Sequence, residues 1–350
     1  MEPTSVLDWV NGLIASHMVD DVTQTQLRSE YSAIRELTAN SKTVSELQFT
    51  QKLRVRETPS IQWIGIMEST PNIRQDLTAS VTYQMVRSEE KIHWDDFEYD
   101  QMDEERFFDH IEEQIKAAVQ KTHEFWDSGL INPRTSASAT KELHGLAGLA
   151  PPLDAGEENT IPSYSAQTVI YGNGSTDTLL GGTDVSTVGY NRLKRMAATY
   201  TGSLGEGFIH TLMQARVRNK MRPIKGIKQG QKAGGRTFLL FPTKQFEEYN
   251  AIRRHSNGQS PDTFDFEDGK LDMLPVIHCP ALDDLSDEPV FMVNSNYLYV
   301  RKGKKWMSWT NPVQSRDALT TNTKGLYASG MLVLTDPRRG VVRIHKPIAA

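Results

Sequence analysis

The sequence predicts a mixed fold of the α+β class, on three observations. Residues 103–127 place apolar side chains three and four positions apart, which is the spacing of an amphipathic helix. Earlier, residues 61–67 and 79–86 are rich in β-branched and aromatic residues, and turn residues separate them. From residue 274 onward several short strand-like stretches follow one another. Helical and strand patterns therefore occur in separate parts of the chain.

Length and composition limit the classes of protein that the chain can be. A chain of 350 residues can bury a large core, either as one domain or as two to three smaller ones. The single cysteine, Cys279, excludes an internal disulfide. No apolar run approaches the roughly 18 to 20 residues of a membrane helix, and Met1 begins no basic and apolar secretory leader. We therefore expect a protein of a reducing cytoplasm that has no membrane partner.

Charge is distributed unevenly, although the net charge is only −5. Acidic residues crowd the segment from Glu89 to Glu113, whereas the segment from Arg216 to Arg236 contains no acid. One interpretation is a pair of complementary patches that meet across a subunit boundary; the other is two solvated faces. The basic segment could also contact nucleic acid or be a mobile loop. Its cations are Arg216, Arg218, Lys220, Arg222, Lys225, Lys228, Lys232 and Arg236.

The first elements are an N-terminal arm at residues 1–48 and an extended hairpin at residues 49–100. The arm holds two short amphipathic patterns, and neither can bury its apolar stripe alone. The hairpin turns near Pro71 and Asn72. A ribbon with strands of ten residues would reach about 30 to 40 Å, and such a ribbon is only marginally stable in isolation. We therefore expect it to lie on a neighbouring subunit, with contacts from Ile61, Trp63, Arg74, Val81 and Tyr83.

The predicted helix at 103–127 is the clearest helical signal, and we call it the spine helix. Acidic residues occupy its first turn, where the helix dipole favours anions, and Gly129 followed by Pro133 is expected to end it. The length would be about 37 Å at 1.5 Å per residue. Its expected packing face consists of Phe107, Phe108, Ile111, Ile115, Val119, Phe125 and Trp126.

Beyond the spine helix, residues 132–182 are rich in Ser, Thr, Gly and Pro, which predicts surface loops. Helices are predicted at 191–200, 204–217 and 244–254, with a buried strand at 237–241 before the last of them. A strand followed by a helix indicates a second α/β lobe. The remaining strands are expected at 274–277, 290–293, 297–300, 330–335 and 340–344.

A search for chemistry finds no catalytic constellation. The histidines form no HExxH pattern, the glycine-rich stretches lack the features of a phosphate loop, and no G-x-S-x-G elbow occurs. Glu112 and Glu113 are adjacent, so a helix does not bring them face to face. Cys279 beside His278 is better explained as a packed small residue than as a nucleophile. We predict no catalytic residue, no cofactor and no metal.

The order of these parts resembles the major capsid proteins of tailed bacteriophages, which have the Hong Kong ninety-seven-like fold. Gly145-Leu-Ala-Gly-Leu149 is similar to a glycine-leucine segment that follows the spine in that family, and Met273-Leu-Pro-Val-Ile277 is similar to the strand that leaves the axial lobe. The stretches 291–300 and 330–343 resemble the closing β-sheet. The likeness covers most of residues 45–346 and rests on composition and order rather than on one invariant motif.

This resemblance implies a domain plan and a function. A peripheral domain would comprise 101–174 and 291–350, an axial domain 175–290, and the hairpin would be the E-loop that lies over the adjacent subunit. Copies would form pentamers and hexamers, and then an icosahedral virion capsid around double-stranded DNA, assembled in the bacterial cytoplasm. A separate scaffolding protein and a portal would be its other partners.

Some members of the family join neighbouring subunits by a bond between lysine and asparagine. Residues 53–90 contain no lysine, so we expect no such bond from this hairpin. Two alternatives stay open: a shell protein of an encapsulin-like nanocompartment, and a hydrolase whose site forms only in three dimensions. A DNA-binding module carried by the basic segment is a third.

Overall fold

The computed structural model describes most of the chain, with gaps. The described residues are 31–54, 78–95, 101, 104–135, 141–152, 169–172, 179–180, 183–184, 195–200, 203–218, 237–257, 269–271, 274–310, 313–314 and 321–346. The predicted strand at 61–67 lies outside them, and so does the first amphipathic pattern of the arm.

Helices and strands both contribute to the described residues. The α-helices are α1 (Ser32–Thr38), α2 (Glu104–Ile131), α3 (Leu146–Leu149), α4 (Glu206–Arg218), α5 (Thr243–Asn257) and α6 (Pro337–Gly340). The strands are β1 (Lys42–Val44), β2 (Gln48–Arg54), β3 (Thr78–Gln84), β4 (Val86–Asp95), β5 (Val169–Gly172), β6 (Leu179–Leu180), β7 (Thr183–Asp184), β8 (Arg195–Thr199), β9 (Thr237–Phe241), β10 (Lys270–Leu271), β11 (Leu274–His278), β12 (Val290–Asn294), β13 (Leu298–Gly303), β14 (Ser308–Trp309), β15 (Val313–Gln314), β16 (Thr321–Leu334) and β17 (Val341–His345).

A seven-stranded mixed sheet forms the centre of the molecule, in the order β10-β11-β9-β12-β17-β8-β5. Strands β9, β12 and β17 are buried along their whole length. Alternate side chains explain this burial, because successive residues of a strand point to opposite faces. Leu239 and Met292 pack with helices α4 and α5, whereas Phe238 and Phe291 pack in the core on the other face. The apolar runs of these strands therefore reflect a sheet covered on both sides.

The second sheet is organised by the long strand β16, which pairs with β4, β13, β14 and β15. Its pairing with β4 is antiparallel over ten residues, from Thr321 opposite Asp95 to Gly330 opposite Val86. Helix α2, the spine helix, lies across this sheet and buries Ile111 and Ile115 against Ile92 and Trp94. The spine helix and the sheet therefore stabilise each other through this shared apolar contact.

The base of the hairpin is a two-stranded ribbon of β2 and β3. The strands pair in register from Gln48 opposite Gln84 to Arg54 opposite Thr78. The hydroxyl of Tyr83 donates a 2.7 Å hydrogen bond to the carbonyl oxygen of Leu334, and the side-chain amide of Gln51 donates to the same oxygen at 3.0 Å. The base is thus fastened to the end of β16, and residues 55–77 lie between the two strands in sequence.

The expected end of the spine helix at Gly129 is wrong. The helix continues to Ile131, and the amide of Asn132 still donates to the carbonyl oxygen of Ser128 at 2.8 Å. Leu130 and Ile131 are fully buried. Their burial outweighs the roughly 1 kcal/mol that a glycine costs inside a helix.

The helix predicted at 191–200 is also wrong. Residues 195–199 form strand β8, which pairs in parallel with β17 and antiparallel with β5. The spacing of Met196, Ala197 and Tyr200 suits a helix locally, but the sheet buries Met196, Ala197 and Ala198 together. Pairing with a strand some 145 residues away in sequence decided the outcome, as the register of Arg343 with Ala197 shows.

The predicted domain boundaries at 174/175 and 290/291 do not agree with the sheet topology. The seven-stranded sheet takes β5 and β17 from the expected peripheral domain, and it takes β8, β9 and β11 from the expected axial domain. Strand β12 crosses the boundary itself. Because hydrogen bonds join all these strands into one sheet, the two parts share a core and cannot be separated at those residues.

Substitution of Ile111 by aspartate tests the support that the spine helix gives. The side chain is fully buried, so an ionised carboxylate there should lower the free energy of unfolding by more than about 4 kcal/mol. Urea denaturation followed by circular dichroism measures this. Ala117→Asp is the matched control, because Ala117 is exposed on the same helix and should cost less than about 1 kcal/mol. Equal losses in the two variants would contradict the assigned face.

Candidate assembly surfaces

The buried face of the spine helix includes most, but not all, of the residues expected there. Phe107, Ile111, Ile115 and Trp126 are buried, and Phe108 and Val119 are half-buried. Phe125 is 65% exposed, so its place in the packing face is a wrong prediction. It follows Phe107 by 18 residues, about five turns, and so has the same angular position. The buried stripe therefore turns around the helix axis between the two ends.

The spine helix packs on different elements along its length, and this change explains why its buried stripe rotates around the axis. The first half of α2 packs on β4, whereas the second half also faces α1. Asp127 Oδ1 accepts a 2.9 Å hydrogen bond from the amide of Ile34, at the N-terminus of α1, and burial raises the pKa of this carboxyl to about 6. The rings of His123 and Tyr31 lie 5.6 Å apart. Residues 31–44, expected in a separate arm, are thus part of the folded body, and β1 extends the sheet beside β13.

A buried ion pair joins three distant segments. Arg343, in the middle of β17, donates to Asp287 from Nη2 and Nε, with Nη2 2.7 Å from each carboxylate oxygen and Nε 3.1 Å from Oδ2. Its Nη1 donates to the carbonyl oxygens of Ala147 and Ala150, at 3.4 and 3.1 Å. Desolvation lowers the pKa of Arg343, and the charge of Asp287 opposes that effect. This pair holds the segment after the spine helix against the central sheet.

Sequence reasoning missed this pair. The available signal was a single charge in the apolar run Val-Val-Arg-Ile-His, because a cation in a buried strand needs a partner. The partner itself could not be identified from the sequence, since Asp287 lies 56 residues away and among other acids.

One contact in the described residues combines a histidine, a hydroxyl and a carboxylate. His278 Nε2 lies 2.9 Å from Thr243 Oγ1, whose hydroxyl also bonds to Asp283. The amide of Thr243 donates to the same carboxylate at 2.8 Å. Asp283 therefore caps the first turn of α5 and accepts hydrogen bonds from both the amide and the hydroxyl of Thr243. We assign this contact to helix capping.

The described residues contain no cluster of three His, Cys, Asp or Glu side chains that could hold a metal ion. Within the same residues, no helix combines the length and the apolar character needed to cross a bilayer.

Comparison with known proteins gives a result only at the level of structure. The sequence matches no family model and no curated protein. The structure is similar to a chain of the cyanophage A-1(L) capsid asymmetric unit, with a TM-score of 0.64, 13% identity and coverage of 91% of this chain and 93% of that one. A second similar chain comes from the capsid of the native GTA particle, with a TM-score of 0.51, 8% identity and 91% coverage of each chain. The chain has the fold of phage capsid proteins.

Within this capsid fold, the expected hairpin contacts divide into two groups. Ile61, Trp63 and Arg74 lie outside the described residues. Val81 and Tyr83 are buried in the core of their own chain, at the base of the ribbon. Their expected contact with a neighbouring subunit is therefore wrong, because these side chains present no free surface.

The basic segment of this chain, residues 216–236, begins on a helix rather than in a loop. Arg216 and Arg218 belong to the last turn of α4. The other six cations, Lys220, Arg222, Lys225, Lys228, Lys232 and Arg236, lie outside the described residues. Next to Arg216, α4 carries Met213 and Val217 one turn apart, and they are 47% and 77% exposed. This helix therefore exposes apolar side chains beside the half-buried Arg216.

Three carboxylates of the acidic segment have partners within the chain. Glu89 accepts a 2.6 Å hydrogen bond from the hydroxyl of Tyr327, which lowers the pKa of its carboxyl. Glu90 pairs with Lys121 at 2.8 Å, and Glu112 pairs with Lys116 on the next turn of the spine helix. These contacts favour the interpretation of a solvated face for this part of the segment, with surface ion pairs worth little each.

Removal of Arg343 tests the junction that holds the capsid fold together. Arg343→Met should lower the free energy of unfolding by about 3 to 5 kcal/mol, because Asp287 stays buried without its counter-charge. The double variant Arg343→Met/Asp287→Leu should recover part of the loss. Chemical denaturation measures both. Arg339→Met is the control: its pair with Asp336 is exposed at 3.7 Å, and it should cost less than about 1 kcal/mol. A loss for Arg343→Met no greater than the control's would contradict the role of this pair.

Proposed function

We propose that the chain is the major capsid protein of a tailed bacteriophage. The observation that carries the proposal is the fold shared with the cyanophage A-1(L) capsid chain over more than nine-tenths of both chains. The likeness therefore extends over most of that capsid chain rather than over one module of it. Many copies would form pentamers and hexamers, and these would close into an icosahedral head around double-stranded DNA.

The arrangement of the described elements supports this proposal. The spine helix packs on the β16 sheet, and hydrogen bonds to Leu334 fasten the ribbon of β2 and β3 to that sheet. Residues 55–77 extend the ribbon in sequence, and a ribbon of two strands needs further support to be stable. An adjacent subunit would supply that support. Head-to-tail contacts of this kind join different surfaces of identical chains and close into rings.

The proposal also includes the partners. A separate scaffolding protein would guide assembly in the bacterial cytoplasm, a portal would occupy one vertex, and packaged DNA would touch the inner surface. In the shell, the part with α4 and α5 would be axial, and the part with the spine helix would be peripheral.

Electron microscopy of the expressed protein tests the function. With and without a co-expressed scaffolding protein, we expect uniform shells or ring-shaped capsomers. Double-stranded DNA inside phage-produced particles distinguishes a phage head from a nanocompartment that encloses protein. A monomer under every condition would contradict the proposal.

Removal of the hairpin tip tests its role between subunits. Residues 55–77 can be replaced by Asn-Gly, because Arg54 and Thr78 are register partners and a two-residue turn can join them. The variant should keep its melting temperature within a few degrees, since the anchored base remains, but it should form no shells. Calorimetry and electron microscopy measure the two properties. Normal shells from this variant would show that the tip does not join subunits.

A further inference from the structure

A basic turn lies on the six-stranded sheet, outside the segments singled out in the sequence. It comprises residues 301–306, Arg-Lys-Gly-Lys-Lys-Trp, and carries four cations within five positions. Arg301 and Lys302 end strand β13, and Lys304 and Lys305 are exposed in the connection to β14. Strand β1 adds Lys42, which is the register partner of Arg301. Because neighbouring residues of a strand point to opposite faces, the cations flank both sides of the turn.

No carboxylate of the described residues neutralises this turn. Among the described residues, Arg301, Lys302, Lys304 and Lys305 form no ion pair, in contrast to Lys116 and Lys121 on the spine helix. The sequence contains no Asp or Glu from residue 289 to residue 316. Within the described part of the chain, the positive charge of the turn is therefore uncompensated, although the net charge of the whole sequence is −5.

Aromatic rings hold two of the cations in place. The guanidinium of Arg301 lies 3.6 Å from the ring centre of Phe49, and the ammonium of Lys302 lies 5.2 Å from that of Trp306. Nε and Nη1 of Arg301 are buried without a hydrogen-bond partner. Burial also lowers the pKa of Lys302. An anion that approaches the exposed Lys304 and Lys305 would experience the summed field of all four cations, so the arrangement favours an anionic partner.

The choice of partner follows from the remaining surfaces. Glu89, Glu90 and Glu112 of the acidic segment already have partners within the chain, so a second copy could use these three carboxylates only by breaking those contacts. The ring of Trp306 packs against Trp126 at 4.7 Å and is not available to stack on a base. A partner that needs only closely spaced negative charge, without base contacts, is the phosphate backbone of a duplex.

We propose that the basic turn binds the phosphate backbone of double-stranded nucleic acid, independently of sequence. The inference rests on the proposed function, since a shell that encloses DNA presents one surface to it. It assigns that inner surface to the face of the subunit that carries Lys304 and Lys305.

Salt-dependent DNA binding by the full-length, unassembled protein tests the proposal. A fluorescent 30-base-pair duplex of random sequence is titrated from about 50 to 200 mM salt, with anisotropy as the readout. Lys304→Gln/Lys305→Gln should weaken binding at least about 10-fold at 0.1 M salt and reduce the slope of log K against log salt by about 2. Lys304→Arg/Lys305→Arg keeps the charge and should bind as the wild type does.

Lys116→Gln/Lys121→Gln is the matched control. It removes the same two charges from exposed lysines that pair with Glu112 and Glu90, and affinity should change less than about 2-fold. Loss of affinity in both variants alike would overturn the proposal, because net charge alone would then account for binding. Absence of salt-dependent binding in the wild type would overturn it too.

Electron microscopy of the same variants separates this inference from the proposed function. Normal shells from Lys304→Gln/Lys305→Gln, together with weakened DNA binding, support the inference. Shells lost with DNA affinity unchanged would overturn it and make the turn a contact between subunits. If the wild type never assembles, the proposed function fails, whereas the binding comparison still decides whether the turn binds a duplex.

Discussion

The ion pair between Arg343 and Asp287 is the constraint that fixes the segment after the spine helix against the central sheet. Arg343 lies in a strand at the centre of the seven-stranded sheet, Asp287 lies in the turn before β12, and the carbonyl oxygens of Ala147 and Ala150 complete the set of partners. Both side chains are almost fully buried. A buried guanidinium tolerates few arrangements, because each of its donors needs an acceptor. The pair therefore fixes the position of the segment that follows the spine helix, and through it the position of the helix against the sheet.

Much of the fold was predictable from local pattern. The strand at 237–241 was predicted with its observed bounds, and the spine helix was predicted within a few residues at either end. Apolar spacing determines these elements because each buries a face that the sequence itself displays. The errors have a different origin. Residues 195–199 form a strand because β17 and β5 lie beside them, and Phe125 is exposed because the partner of the helix changes along its length. Neither outcome can be predicted from the local sequence, because both depend on elements that are distant along the chain.

The candidate surfaces were less predictable than the fold for a related reason. A charge or an apolar group in a sequence has no assigned partner until the chain folds. Val81 and Tyr83 have the composition of an interface, yet they pack in the core of their own chain. Glu90 and Glu112 have the charge of a docking patch, yet they pair with lysines of the spine helix. The basic turn at 301–306 shows the reverse case, because its cations find no carboxylate among the described residues. A surface that is free to bind a partner can be recognised only when the structure shows which groups are already paired within the chain.

The order of strands in the central sheet has a consequence for synthesis. Strand β17, residues 341–345, lies between β12 and β8, and β8 precedes it by some 145 residues in sequence. A nascent chain that lacks β17 leaves both neighbours with open edges and the carboxylate of Asp287 without its cation. Sheets with such distant pairings close late and slowly. Strand β8 therefore keeps one edge unpaired until the chain has been synthesised through β17, some 145 residues later.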